Sequence, residues 1–87
     1  MHYSGIVVMV RPSRVGDCQR ELEKLPGVEV HYSEPESGRL VVVQETANAE
    51  QQERGLRRIQ ELPVVEAAAM VEHRIDTEDR DVVSFPQ

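Results

Sequence analysis

An α+β fold, with four antiparallel strands in one layer and two helices on one face in the order β-α-β-β-α-β, is predicted by three observations. The first is a repeated connection. "LPGVEV" at residues 25–30 and "LPVVEA" at residues 62–67 each follow a helix-like stretch and lead into a strand-like one. The second is a pair of continuously apolar, β-branched runs, "IVVMV" at residues 6–10 and "LVVV" at residues 40–43, which read as central strands. The third is that the stretch before each Leu-Pro pair carries apolar residues at helical spacing. A β-α-β unit used twice is the ferredoxin-like split βαβ. In that arrangement the first and third strands are the inner ones, and each Leu-Pro junction leads into an edge strand.

The elements follow in order. The first strand stops at Arg11-Pro12-Ser13, because Pro12 has no N–H for a ladder, and Ser13 suits the cap of a helix. In "RVGDCQRELEKL", Val15, Cys18, Leu22 and Leu25 form one helical stripe; Gly16 weakens its first turn and Pro26-Gly27 ends it. Residues 28–33 alternate, with Val28, Val30 and Tyr32 on one face and Glu29, His31 and Ser33 on the other, as in a half-exposed strand. "EPESG" at residues 34–38 is a turn, so the apolar strand after it, reaching about Glu45, closes a hairpin. A second helix is expected over residues 47–61. Asn48 suits its cap, Glu50–Arg54 and Glu53–Arg57 have the favourable acid-before-base order, and Ala49, Leu56, Ile59 and Leu62 give a thinner stripe. Residues 64–71, "VVEAAAMV", are expected to be the fourth strand: the position after Pro63 and the match to the first copy outweigh the helical preference of three alanines. The reading is therefore a single ferredoxin-like domain over residues 1–75, followed by an acidic, flexible tail over residues 76–87.

Composition narrows the function classes. The chain has 87 residues and a formal net charge of −6, which repels a phosphate backbone and suits a basic partner, so no nucleic acid is expected. One Phe, two Tyr and no Trp leave few rings for base stacking. No apolar run approaches the roughly 18 residues that span a bilayer, so no direct membrane insertion is expected. The first residues make a poor signal peptide, which points to the cytoplasm. With one cysteine, Cys18, on the stripe of the first helix, no internal disulfide and no thiolate cluster is available. His2, His31 and His73 fall on different elements without ligand spacing, so neither a metal nor a cofactor is expected. No glycine-rich phosphate loop, Ser-His-Asp set or Cys-His set appears, and the chain does not read as an enzyme. The acylphosphatase variant of the fold needs an anion loop that "VRPSRVGD" does not supply.

One sheet face in this fold has no helix over it. Strand parity assigns to it Val7 and Met9 with Arg11, Glu29 and His31 with Ser33, Val41 and Val43 with Arg39 and Glu45, and Glu66, Ala68, Met70 and Glu72 with Val64. Such a face has an apolar centre and an acidic rim, and patches of that kind mark binding sites. It suits a ligand with an apolar segment beside basic residues. A second copy of the chain or the tail is the competing cover, so a homodimer is an expectation to test. A small-molecule-sensing regulatory domain, dimeric or part of a longer chain, is the main alternative function.

The run "LPGVEVHYSEPESGRLVVVQE" followed by "LPVVEAAAMVEH" resembles the NapD family, cytoplasmic maturation chaperones of periplasmic nitrate reductase. The resemblance spans about residues 7–75. It rests on Pro26-Gly27-Val28-Glu29-Val30, on Ser37-Gly38 before the apolar strand at Leu40, and on His73 near the end of the last strand. The chain departs from the family pattern at Val64, where a glycine is usual, and at Glu72, where an aromatic often precedes the His. The resemblance implies a ferredoxin-like fold and a non-enzymatic role. It further implies binding of the twin-arginine signal peptide of the nitrate reductase catalytic subunit, held back from export until the molybdenum cofactor is inserted. The peptide's arginines would then meet Glu29, Glu66 or Glu72, and its apolar region would lie on Val7, Met9, Val43 and Met70.

Overall fold

The computed structural model describes residues 1–75, so the expected tail at residues 76–87 lies outside the described residues. Its elements are β1 (His2–Met9), a 3-10 turn (Pro12–Arg14), α1 (Val15–Glu23), β2 (Val28–Glu34), β3 (Arg39–Thr46), α2 (Ala49–Gln60) and β4 (Ala67–Ile75). The strands lie in the order β2-β3-β1-β4 with every neighbouring pair antiparallel. The architecture is the ferredoxin-like α+β fold, with the two apolar strands in the middle.

Both helices pack on one side of this sheet, α1 mainly on β2 and α2 on β3, β4 and β1. Between the layers lie Ile6, Val8, Val10, Val15, Cys18, Leu22, Leu40, Val42 and Ile59, all buried. Ile6 and Val8 of β1 and Leu40 and Val42 of β3, alternate residues along each strand, supply this layer from the sheet. Among the described residues, three polar residues, Ser4, Gln44 and Gln52, are buried with them, and hydrogen bonds link them. Gln52 Nε2 donates to Ser4 Oγ at 2.7 Å, and Gln44 Nε2 donates to the Gln52 carbonyl at 3.2 Å. Gln52 thus holds α2 to β1 and β3 at a position where the helix stripe lacks an apolar residue.

The two Leu-Pro junctions share one turn. Val28 N–H donates to the Leu25 carbonyl at 3.3 Å, and Val65 N–H donates to the Leu62 carbonyl at 3.0 Å. They then diverge. β2 starts at once at Val28, whereas Val65 and Glu66 remain in the connection and β4 starts at Ala67. Gly27, at φ +76°, accounts for the difference, since a Cβ there would fall 2.5 Å from the Glu45 carbonyl oxygen. The first copy can press against β3 because its residue is glycine; the second, with Val64, stands off.

Several local expectations change. β1 begins at His2 rather than residue 6, and β4 covers Ala67–Ile75 rather than residues 64–71. Ser13 makes no cap; Arg14 occupies the cap position of α1 without a side-chain bond to the helix N–H groups, and its Nε instead donates to Asp17 Oδ2 at 2.8 Å. Asn48 does cap α2, its Oδ1 accepting from Gln51 N–H at 2.8 Å. Arg54 reaches Glu50 at 3.0 Å, while Glu53 and Arg57 form no ion pair among the described residues.

Candidate functional site

The uncovered sheet face is built by register, and three rows of side chains cross it. Glu29, Val43, Gly5 and Glu72 stand opposite one another from β2 to β4; next come Tyr32, Val41, Val7 and Ala69; then Glu34, Arg39, Met9 and Ala67. Opposed residues in an antiparallel pair point to the same side. The middle row is entirely apolar in body. The row before it ends in a carboxylate on each side, with Glu29 and Glu72 three strand spacings apart, about 14 Å. Beyond that row, Glu45, Tyr3 and Arg74 line up at the end of the sheet. Val7, Val41 and Val43 are half-buried by their neighbours, while Met9 and Tyr32 are 37% and 48% exposed.

Parity alone misplaces part of this site. Each edge strand carries a bulge, and a bulge inverts the alternation beyond it. On β2 the register jumps between Val30 and Tyr32, leaving His31 in the bulge. Tyr32 therefore joins the open face opposite Val41, and Ser33 turns toward the helices opposite Leu40. His31 remains exposed at the bulge rather than sharing a row with Glu29. On β4, Ala68 and Met70 stand opposite Val8 and Ile6 and pack against the core, so the face they were expected to line is lined by Ala67 and Ala69. Val71 falls in the second bulge, 64% exposed, and Glu72 emerges on the open face. Glu66 precedes β4; its N–H donates to the Met9 carbonyl at 2.9 Å, which puts it at the opposite end of the sheet from Glu29. Val7, Met9, Val41 and Val43 do lie on the open face. Tyr3, Tyr32, Ala67 and Ala69 were not expected there, and the alternation of "VEVHYS" masks Tyr32 because no residue type marks the bulge.

The carboxylates of the face are not equivalent. Glu72 is paired with Arg74 at 3.1 Å, Glu34 with Arg39 at 3.3 Å, and Glu66 with Arg11 at 3.7 Å, all near the surface. Glu29 and Glu45 form no ion pair among the described residues. An arriving cation finds Glu29 free but must displace Arg74 to reach Glu72, a small cost for an exposed pair. Next to Glu72 the sheet dips. Gly5 has no side chain, and Tyr3, Val43, Glu72 and Arg74 surround a depression of ≈ 200 Å³. A Cβ on Gly5 would sit 3.3 Å from the Glu72 Cβ, so the glycine keeps this depression open.

Two other features complete the surface. A cleft of ≈ 320 Å³ opens between α2 and the adjoining ends of β2 and β3, with Gln51, Arg54, Arg58 and Thr46 in its lining. Cys18 is fully buried in α1, and its thiol is pushed up from 9.0 to about 11 by burial, with the Glu21 carboxylate adding to the effect. A thiol in that state is a packing group rather than a nucleophile. Among the described residues, no group of three or more His, Cys, Asp and Glu side chains is placed to hold a metal ion, and no helix is long and apolar enough to cross a membrane.

The arrangement thus offers an elongated apolar track with an unpaired carboxylate at one end. Comparison with known proteins adds the following. A family model described as NapD protein matches residues 1–77. No curated protein sequence matches. Among solved structures, the solution structure of the E. coli Tat proofreading chaperone protein NapD is similar, with a TM-score of 0.78 and 25% sequence identity, over 98% of this chain and 90% of that chain.

Proposed function

The chain belongs to the NapD family, a family of chaperones in nitrate reductase maturation rather than of enzymes, and from that premise we propose that its open sheet face binds a twin-arginine signal peptide. The bound peptide is that of the catalytic subunit of periplasmic nitrate reductase. Binding in the cytoplasm keeps the subunit from export until its molybdenum cofactor is in place. Residues 1–75 form the single domain that does this.

The observation that carries the reading is the track itself. A twin-arginine peptide presents guanidinium groups followed by an apolar stretch. Tyr32, Val41, Val7 and Ala69 form an apolar row of matching character, and Glu29 at the adjoining rim is an unpaired acceptor for a guanidinium fork. Met9 and Val43 extend the apolar surface to either side. Glu72 is the second acceptor, released when the incoming arginine replaces Arg74. The contributions are unequal: apolar burial supplies most of the affinity, and the carboxylates supply the discrimination between arginine and other residues.

Calorimetric titration of the protein with the synthetic signal peptide, and with a version carrying two lysines, tests this. The arginine peptide is expected to bind, more weakly as salt rises, and the lysine peptide to bind less well. Absence of heat with the arginine peptide, or equal affinity for both, refutes the mechanism. A second copy of the chain is the competing occupant of the face; peptide affinity that falls as protein concentration rises identifies it.

The arginine-lined cleft beside α2 favours one other reading, a small-molecule-sensing domain with an anionic ligand. That reading expects thermal stabilisation by a small carboxylate or phosphate compound, lost in Arg58→Ala, with no response to the peptide.

A further inference from the structure

His2 and His73 stand far apart in the chain, yet the antiparallel pairing of β1 with β4 brings them together, with Ser4 opposite His73 and His2 opposite Ile75. Their Nδ1 and Nε2 atoms are 3.1 Å apart, and the two rings lie nearly parallel, 16° between planes and 5.3 Å between centroids. Neither ring bonds a carboxylate among the described residues. As an exposed side-chain hydrogen bond, the pair adds little to stability. Its geometry has another use.

We propose that His2 and His73 form a binding site for a divalent, imidazole-seeking metal ion of the Zn²⁺ or Cu²⁺ type. Two imidazole nitrogens on one ion, each bonded at about 2.0–2.1 Å and separated by an angle between a right angle and tetrahedral, lie about 2.9–3.4 Å apart. The observed 3.1 Å falls inside that bite. In the structure the two nitrogens face each other at hydrogen-bond distance. Placing an ion there requires both lone pairs to turn toward one point beside the line between them. His73 is exposed and His2 half-exposed, so the side-chain rotations are not blocked by core packing. One ligand is Nδ1 and the other Nε2, and both are ordinary metal ligands.

The surroundings agree with an open, exchangeable site. His73 also lines a groove of ≈ 390 Å³ between α2 and β4 whose walls include the Glu53 carboxylate and the Met70 thioether. Because no third His, Cys, Asp or Glu among the described residues converges on the pair, water fills the remaining positions. Two imidazoles select Cu²⁺ over Zn²⁺ in the usual order and give Mg²⁺ and Ca²⁺ no purchase. The bound ion would pin the first rung of β1 to the last rungs of β4.

The test is a titration of the full chain, without peptide, with ZnCl₂ and separately with CuCl₂, followed by ring-proton NMR of the histidines for Zn²⁺ and by thermal melting for both. Zn²⁺ is expected to shift the His2 and His73 ring resonances together and to raise Tm, with a larger rise for Cu²⁺ and none for Mg²⁺. His73→Ala and His2→Ala each abolish the response, while His31→Ala, which removes the exposed histidine of the β2 bulge, leaves it intact. Melts of the metal-free variants check that each still folds. The proposal fails if Zn²⁺ moves neither ring, if either single variant keeps the full response, or if His31→Ala removes it.

Discussion

Reversing the charge at Glu29 is expected to weaken binding of the proposed peptide without unfolding the protein, and the size of the effect follows from where the carboxylate sits. Glu29 is exposed on β2, opposite Val43, and has no ion-pair partner among the described residues. Its removal therefore costs the folded state no more than about 0.5 kcal/mol, the usual range for a surface change. In the proposed complex it would meet a guanidinium. A fully exposed pair contributes about 0.2–1 kcal/mol, and a hydrogen bond to a charged group about 1.5–3 kcal/mol when covered. At the rim, half-covered by the peptide, a middle value of about 1 kcal/mol applies to Glu29→Gln. Glu29→Lys replaces attraction by repulsion and roughly doubles that, to about 2 kcal/mol. At 1.4 kcal/mol per factor of ten, the expected rises in Kd are about fivefold and about thirtyfold. Glu66→Lys is the internal comparison, because Glu66 pairs with Arg11 at 3.7 Å at the far end of the sheet, and its effect is expected to be smaller. Calorimetry at low and high salt, with thermal melts alongside, reads all of these. An unchanged Kd for Glu29→Lys, or equal losses for Glu29→Lys and Glu66→Lys, refutes the placement of the arginine site.

Other outcomes follow from the fold. Gly38→Ala is expected to destabilise by about 3 kcal/mol or more, because at φ +78° the added Cβ falls 2.1 Å from the Val10 carbonyl oxygen; a chemical melt that shifts by less than 1 kcal/mol contradicts this. Gly16→Ala is expected to stabilise by about 0.5–1 kcal/mol, since the nearest atom to its Cβ is Arg20 Nη1 at 3.8 Å in the first turn of α1, and a lower Tm for this variant is the contrary result. Cys18 should resist a thiol reagent at pH 8 until the protein is unfolded. Its raised pKa also means that the unfolded thiol ionises first, so the stability it contributes is complete below 9.0 and is lost as pH rises toward about 11; Cys18→Ala should lack that step in a stability–pH profile.

How much of this was legible in the sequence depends on the period of each segment. The central strands announce themselves, since "IVVMV" and "LVVV" have no alternative as helices of that length, and the order of elements follows from the repeated Leu-Pro turn. The helices are marked by their stripes and by Asn48. The register of the edge strands is not legible. Inserting one residue at His31 and one at Val71 changes which face Tyr32, Ser33 and Glu72 present, and neither insertion has a sequence mark of its own. Ala68 and Met70 were misassigned for a related reason: β4 begins after a two-residue stand-off behind Val64, so counting from Pro63 as in the first copy starts the strand too early. The proximity of His2 and His73 is equally hidden, being a product of strand pairing rather than of spacing along the chain.

The two bulges also govern how this small protein meets other chains. A sheet with two open edges invites a partner to extend its ladder, by addition of a peptide strand or by stacking of identical copies. Here each edge strand is interrupted near its middle, at His31 within Val28–Glu34 and at Val71 within Ala67–Ile75. A guest strand aligned with one half of either edge is out of step with the other half, because a bulge bends the strand and breaks its hydrogen-bond spacing. Uninterrupted template is therefore only a few residues long on each side. Both edges are thus poor templates for a guest strand or for edge-to-edge stacking, and the same interruptions that hid the site from the sequence leave the broad face, with its side chains, the better suited surface for a partner.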